Sequence, residues 1–275
     1  MIRSPLRYPG GKSRALRHIL PLLPEGIGEY REPFLGGGSV FVRLRQAHPE
    51  WQFWINDRYE ALFWFWKMVQ ERPQDLLQQV KDWRVAYADG KKLHQFLKSQ
   101  QDAFTPLQIA AAFFIFNRIT FSGTSEAGGY SRQAFEKRFT TSSIERVEAL
   151  QSLLSPPIRI TNLDYEVLLS APTETQCFIF LDPPYYSATK SALYGKNGKL
   201  HRYFDHERLR KALKNCPHHW LMTYDDSAYI RELYQEFELR AWDLTYGMRN
   251  VSPDADAIGK ELFIANYTLP ETVTE

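Results

Sequence analysis

The stretch Cys177-Phe178-Ile179-Phe180-Leu181-Asp182-Pro183-Pro184-Tyr185 puts one carboxylate, two ring-locked residues and an aromatic ring at the end of an apolar run. Consecutive prolines fix φ and remove two backbone donors, so the carbonyl oxygens there are rigid acceptors without competing N–H groups. A fixed carboxylate at Asp182, a fixed carbonyl at Pro183 and a flat face at Tyr185 suit an exocyclic amino group on a heterocyclic base. A simple proline turn after a strand would explain neither the acid nor the ring.

A second constellation lies upstream. Phe34-Leu35-Gly36-Gly37-Gly38 is followed by Asp57. Glycines let backbone approach a ligand closely, and an acid about 20 residues on can accept from ribose hydroxyls. The pair describes a site for an adenosine-containing cofactor that need not carry a pyrophosphate, set against a glycine turn that is only a turn. Hydride transfer is disfavoured because Phe41 stands where the dinucleotide fingerprint has its third glycine. Gly10-Gly11-Lys12-Ser13 ends like a P-loop, but Leu6 replaces the first glycine, which argues against a nucleoside triphosphate. Cys216-Pro217-His218-His219 lacks four ligands at recognised spacing, so no metal is expected.

The elements that must position these residues follow from periodicity. Strands are expected at Glu29 to Phe34, Trp51 to Ile55, Ile158 to Thr161, Cys177 to Leu181, His219 to Thr223, Phe237 to Leu244 and Glu261 to Tyr267. Helices are expected at Arg14 to Leu23, from Val40, at Ala61 to Val69, Gln74 to Tyr87, Leu93 to Gln100, Pro106 to Phe116 and His206 to Lys214. Phe63-Trp64-Phe65-Trp66 belongs to the core on such a helix. Ser122 to Phe139 is polar and contains Gly123, Gly128 and Gly129, with little periodicity. This order predicts an α/β fold with a parallel sheet, interrupted by a mostly helical insertion.

The 275 residues allow one large domain or two small ones, and 44% hydrophobic with 24% charged residues is ordinary globular composition. Two cysteines cannot build a disulfide framework, and no apolar run spans a membrane or forms a signal core, so a cytoplasmic protein is expected. Net charge is only +2, yet Met1 to Leu23 carries five basic and no acidic side chains. Tyr186 to Phe204 likewise holds Lys190, Lys196, Lys199 and Arg202 without an acid; such patches suit a polyanionic partner, with a solvated surface as the alternative.

Asp-Pro-Pro-Tyr together with the upstream Phe-x-Gly-x-Gly resembles the amino-methyltransferases of nucleic acids, and across most of the chain the Dam-type DNA adenine methyltransferases. Arg7-Tyr8-Pro9-Gly10-Gly11-Lys12 is similar to that family's amino-terminal motif, and Glu32 to Val40 to its cofactor loop. Asn56-Asp57 is similar to its ribose-binding acid, and Asp164-Tyr165 to the pair near the cofactor's adenine. Phe116 to Gly123 resembles the segment that opens its DNA-reading hairpin. His206 to Leu213 and Lys260 to Tyr267 resemble its carboxyl-terminal elements. The motif order is that of the alpha group. Tyr8 and Pro9 replace the usual Trp-Ala, and the stretch after Gly123 and the carboxyl-terminal Arg249-Asn250-Val251 and Asp254/Asp256 region also depart from the family pattern, which leaves the recognition sequence open.

The resemblance implies a Rossmann-like S-adenosylmethionine-dependent methyltransferase sheet. It assigns a catalytic domain to 1–72 and 141–275, and an inserted target-recognition domain to 73–140. Asp182, Pro183, Pro184 and Tyr185 are then catalytic. The cofactor falls to Tyr8, Lys12, Phe34, Gly36, Gly38, Asp57, Asp164, Tyr165 and Asp182. Double-stranded DNA falls to Asn117, Arg118, Ser122, Arg132, Lys190, Lys196 and Lys199, with base reading by Arg118 and the residues from Ser122 to Arg132, and with 186–204 ordering on DNA. The expected reaction is methyl transfer to N6 of a flipped adenine, by a monomer, in a setting that includes restriction–modification. The alternatives are cytosine N4, an RNA adenine, or a DNA-binding homologue without activity; an Asp at 182 favours adenine.

Overall fold

The computed structural model describes residues 1–8, 10–121, 128–156, 158–188, 204–245 and 258–271. A seven-stranded sheet runs in the order β3-β2-β1-β4-β5-β7-β6. Its strands are β1 Glu29–Glu32, β2 Gln52–Asn56, β3 Arg159–Thr161, β4 Cys177–Leu181, β5 His219–Asp225, β6 Glu238–Thr245 and β7 Ile258–Ala265. The first five pair in parallel, while β7 runs antiparallel to both β5 and β6. From β1 the chain moves outward to β2 and β3, then returns to start the other half at β4. The crevice between β1 and β4 is therefore the switch point, where open α/β sheets place ligands.

Strand alternation sorts the core into two layers. Tyr30, Phe178, Phe180, Leu221 and Phe263 face one cluster, and Ile179, Leu181, Trp220, Met222, Tyr224 and Leu262 face the other. Helices α1 Leu16–Ile19, α2 Ser39–Ala47 and α3 Glu60–Glu71 contribute to the first layer. So do α4 Pro73–Ala86, α5 Gly90–Ser99, α6 Pro106–Ile119 and α8 Thr141–Gln151, so their apolar faces join one continuous core with α3. Helices α9 Tyr165–Ser170, α10 His206–Lys214 and α11 Ala228–Leu233 cover the opposite layer. Helix α6 starts where the sequence says it should: Pro106 occupies the first turn, and Thr105 and Gln108 form a reciprocal capping box.

Several boundaries differ from expectation for identifiable reasons. Strand β1 stops at Glu32, short of Phe34, because Pro33 has no N–H to continue the ladder. The stretch expected to lack periodicity contains helix α7, Arg132–Arg138, started by the Ser131 side chain accepting from Ala134 N. Helices α8, α9 and α11 carry little sequence signal, being short or weakly amphipathic. Strand β7 begins before Glu261 and ends before Tyr267. Phe65 and Trp66 are fully buried, and Phe63 and Trp64 partly so. Among the described residues no helix is long and apolar enough to cross a membrane.

Candidate active site

The glycine turn after β1 opens the crevice. Gly36 and Gly38 have φ of 50° and 65°, the left-handed region that an L side chain rarely adopts. Space is as restrictive as the dihedral. A Cβ on Gly38 would lie 2.7 Å from Trp66 Cζ2, and one on Gly36 would lie 3.0 Å from Tyr8 Cε1. The turn is thus clasped by the Tyr8 and Trp66 rings, and Gly38 leads directly into α2.

Across the crevice Asp182 emerges from β4 with its side chain 22% exposed. Its Oδ1 accepts from two groups far away in the chain. Lys12 Nζ lies 2.8 Å from it and is itself almost fully buried, and the Thr223 hydroxyl on β5 donates over 2.9 Å. Lys12 also donates to Gly10 O at 3.0 Å and stands 4.9 Å from the centre of the Tyr185 ring. Tyr185 in turn donates its hydroxyl to Glu261 Oε2 at 2.9 Å and stacks on Tyr224, with ring centres 5.6 Å apart. The Tyr224 hydroxyl meets His206 Nδ1. Pro183 is buried and Pro184 half-buried, which sets the tetrapeptide between these partners.

Asp57 is held differently. Its Oδ2 accepts from Gly36 N at 2.9 Å and its Oδ1 from Tyr59 N at 2.9 Å, so the carboxylate ties the end of β2 to the glycine turn. Burial pushes this carboxyl up to about 6, against the lowering effect of the two N–H donors. Glu32 lies beneath, accepting from the Tyr30 hydroxyl at 2.7 Å and Phe41 N at 3.0 Å. Burial, reinforced by the charges of Asp182 and Asp57, pushes Glu32 up to about 8. Three carboxyl groups thus converge on the crevice, and the deepest is neutral at neutral pH.

Phe34 is packed beside Tyr165 and Phe204, with ring centres 5.4 Å and 5.8 Å away. The buried Tyr165 hydroxyl has no hydrogen-bond partner among the described residues, and burial raises its pKa well above the phenol range. Asp164 caps α9 by accepting from Glu166 N at 3.1 Å, and its other oxygen pairs with Arg208 at 3.1 Å.

Of the residues expected at DNA, Asn117 is fully buried. It clips the amino-terminal segment to α6, accepting from Arg7 N at 3.0 Å and donating to Arg7 O at 2.7 Å. Arg118 is 5% exposed, donates to Asn117 Oδ1 at 2.7 Å, and leaves its Nε without a partner among the described residues. Burial, with Arg7, Arg146 and Arg138 nearby, lowers its pKa to about 9. Arg132 is 85% exposed and pairs with Glu136 at 2.8 Å. Pro9, Ser122, Lys190, Lys196 and Lys199, with most of residues 186–204 and all of 249–256, lie outside the described residues. No group of three His, Cys, Asp or Glu suited to a metal ion occurs among the described residues.

Four residues of this arrangement were not singled out from the sequence: Glu32, Thr223, Tyr224 and Glu261. Two carried a signal. Glu261 is an acid opening an apolar run to Ala265, and Thr223 is a hydroxyl closing one that begins at Trp220. A polar group inside a buried strand needs a partner, and that partner is worth seeking.

Comparison with known proteins gives a consistent picture. Residues 8–248 match the family described as D12 class N6 adenine-specific DNA methyltransferase. The modification methylase StsI of Streptococcus sanguinis is 26% identical over 97% of this chain, which spans 43% of that protein's length. The type II methyltransferase M1.LlaDCHI of Lactococcus lactis subsp. cremoris is 24% identical over 95% of this chain and 94% of its own. The DNA adenine methylase of Vibrio cholerae is 29% identical over 47% of this chain and 46% of its own.

Proposed function

The chain belongs to the D12 class of N6 adenine-specific DNA methyltransferases, and we propose that it transfers a methyl group from S-adenosylmethionine to N6 of an adenine turned out of duplex DNA. The observation that carries this reading is the placement of Asp182. A carboxylate fixed by Lys12 and Thr223 stands at the carboxyl end of β4, followed by Pro183, Pro184 and Tyr185, across the switch-point crevice from the glycine turn.

The crevice suits the cofactor. Asp57 and Asp182, the two carboxyl groups above the protonated Glu32, favour a ligand with a positive charge, and the Tyr165 hydroxyl, without a partner among the described residues, offers one polar atom beside Phe34 in an aromatic pocket, as a purine ring requires. Tyr8, Phe34, Tyr165 and the Gly36–Gly38 backbone would hold it. Asp57, with one backbone donor on each oxygen, keeps lone pairs for ribose hydroxyls. When bound, S-adenosylmethionine supplies a methyl group activated on a sulfonium.

The protein's own part is positioning and electrostatics. The adenine amino nitrogen is a poor nucleophile because its lone pair is conjugated with the ring. Asp182 and the Pro183 carbonyl accept its two N–H groups, letting the nitrogen pyramidalise and stabilising the positive charge that grows there. The proton shed after transfer leaves through the partly exposed Asp182. Tyr185 bounds the pocket, its ring orientation set by Glu261 and Tyr224.

Residues 73–140 are the proposed target-recognition part. Arg7, Arg118, Arg138 and Arg146 give the α6–α8 side a field that suits a polyanion. Arg132, expected among the base readers but paired at the surface with Glu136, is proposed with Lys190, Lys196 and Lys199 to meet backbone phosphates, whereas Asn117 and Arg118, expected at DNA but buried, act from within, bracing the segment that reaches it.

Tritium-labelled S-adenosylmethionine tests the reading. Label is expected in duplex DNA, recovered as N6-methyladenine, and lost with Asp182→Ala. Label appearing only in RNA or on cytosine would overturn it.

A further inference from the structure

Both described donors to Asp182 converge on one oxygen, Oδ1: Lys12 Nζ at 2.8 Å and Thr223 Oγ1 at 2.9 Å. Resting on the reading above, we infer that Thr223 is a positioning residue for the reaction, which with Lys12 commits Oδ1 to the protein and reserves Oδ2 for the amino group of the base.

The sheet itself sets up the contact. Strands β4 and β5 pair in parallel with Leu181 opposite Met222, so the next pair along the register is Asp182 and Thr223. With period-two alternation, Asp182 shares a face with Phe180, and Thr223 shares one with Leu221. Phe180 and Leu221 line the same core layer. The two side chains therefore leave adjacent strands on the same side, one step beyond the last apolar pair.

Thr223 is fully buried, as are Trp220, Leu221, Met222 and Tyr224 beside it on β5. A hydroxyl in such surroundings must be satisfied, and it has one proton to donate. Two acceptors are near, Asp182 Oδ1 at 2.9 Å and Leu181 O at 3.5 Å. The shorter contact is to a carboxylate rather than an amide carbonyl, and bonds to charged acceptors are the stronger ones. The hydroxyl is thereby oriented at Oδ1.

The chemical consequence lies in the torsion of the carboxylate. Two donors on one oxygen, from an ammonium and from a rigid β-branched side chain, fix the plane of the group. A freely rotating carboxylate would accept the amino N–H in many poses, few of them with the nitrogen lone pair aimed at the methyl carbon. Fixing the plane converts a binding contact into a near-attack arrangement, an effect on the chemical step more than on substrate affinity.

The contrast to measure is Thr223→Val, which keeps shape and removes the donor, against Thr223→Ser, which keeps the donor. Single-turnover methyl transfer, Kd for S-adenosylmethionine and for duplex DNA, and Tm are read for each. Thr223→Val is expected to slow transfer about tenfold or more, with both Kd values within about twofold and Thr223→Ser close to wild type. In an Asp182→Ala background the same substitution is expected to add almost nothing, since the effect travels through Asp182. If Thr223→Val fails to fold, Thr223→Ala against Thr223→Ser supplies the same contrast. A folded variant that lacks the hydroxyl and transfers at the wild-type rate would overturn the inference, as would losses that add fully to that of Asp182→Ala. A wild-type protein that transfers no methyl to DNA would instead sink the parent reading, and the inference with it.

Discussion

Two strand ends present a carboxylate to the same crevice, and they are secured by different means. Asp57, after β2, is held by backbone N–H groups of Gly36 and Tyr59. Asp182, after β4, is held by the side chains of Lys12 and Thr223. A backbone-held acid is part of the fold: its donors survive any side-chain substitution, and removing it leaves amides without acceptors. An acid held by side chains can be retuned one residue at a time, which suits the role at the reacting atom proposed for Asp182.

The difference can be broken at its strongest point first. Asp182→Ala is expected to lower single-turnover methyl transfer by about 10³-fold, and Tm falls as well, because the buried Lys12 ammonium and Thr223 hydroxyl lose their shared acceptor. A large drop in Tm with unchanged transfer would reverse the roles of the two acids. Asp57→Ala should differ in sparing the chemical step. Tm falls, by the equivalent of about 1–3 kcal/mol for stranded amides, and the Kd for S-adenosylmethionine rises at least tenfold, with the rate at saturation much less affected; calorimetry and transfer at saturating cofactor separate these.

Glu32 sharpens the comparison through pH. Its folded pKa of about 8 lies above the ordinary 4.5, so the folded state retains a proton that the unfolded chain releases. That stabilisation is complete below about 4.5 and is lost as pH rises towards 8, by at most about 1.4 kcal/mol per pH unit. Glu32→Gln, which mimics the protonated acid, should therefore gain stability relative to wild type between pH 5 and 8 (about three units); a Tm difference flat across that interval would refute the assignment. The smallest effect is expected far from both acids. Arg132→Ala should leave Tm within about a degree, since its pair with Glu136 is exposed. If Arg132 contacts a phosphate, the log–log salt slope of DNA binding should shrink by about one.

The same contrast explains what could be read from the sequence. Asp182 and its Pro-Pro-Tyr neighbours are contiguous, and Asp57 stands one strand beyond the glycines, so local pattern was enough to find both. The partners of Asp182 and Tyr185 were not within reach: Thr223 lies 41 residues from Asp182, and Glu261 lies 76 from Tyr185. Their proximity follows from β5 lying next to β4 and β7 next to β5, an order that no local periodicity encodes. Parallel strand runs such as Cys177–Leu181 were legible because burial on both faces leaves an unbroken apolar stretch. Helix α7 was hidden for the opposite reason: at seven residues it is too short to display a period, and only its Ser131 cap marks it. Arg118 reads as an outward-reaching cation from its type alone, yet it lies in the last turn of a helix whose last ten residues are all buried.

Strand β7, threaded between β5 and β6, has an implication for how the protein is made. Synthesis from the amino terminus delivers the tetrapeptide at 182–185 long before Glu261 has left the ribosome. Until then Tyr185 lacks its contact with Glu261 and β5 shows a bare flank. The flank of β5 is thus covered only once residues 258–265 have emerged, and a product truncated before residue 258 would be prone to stick to its neighbours.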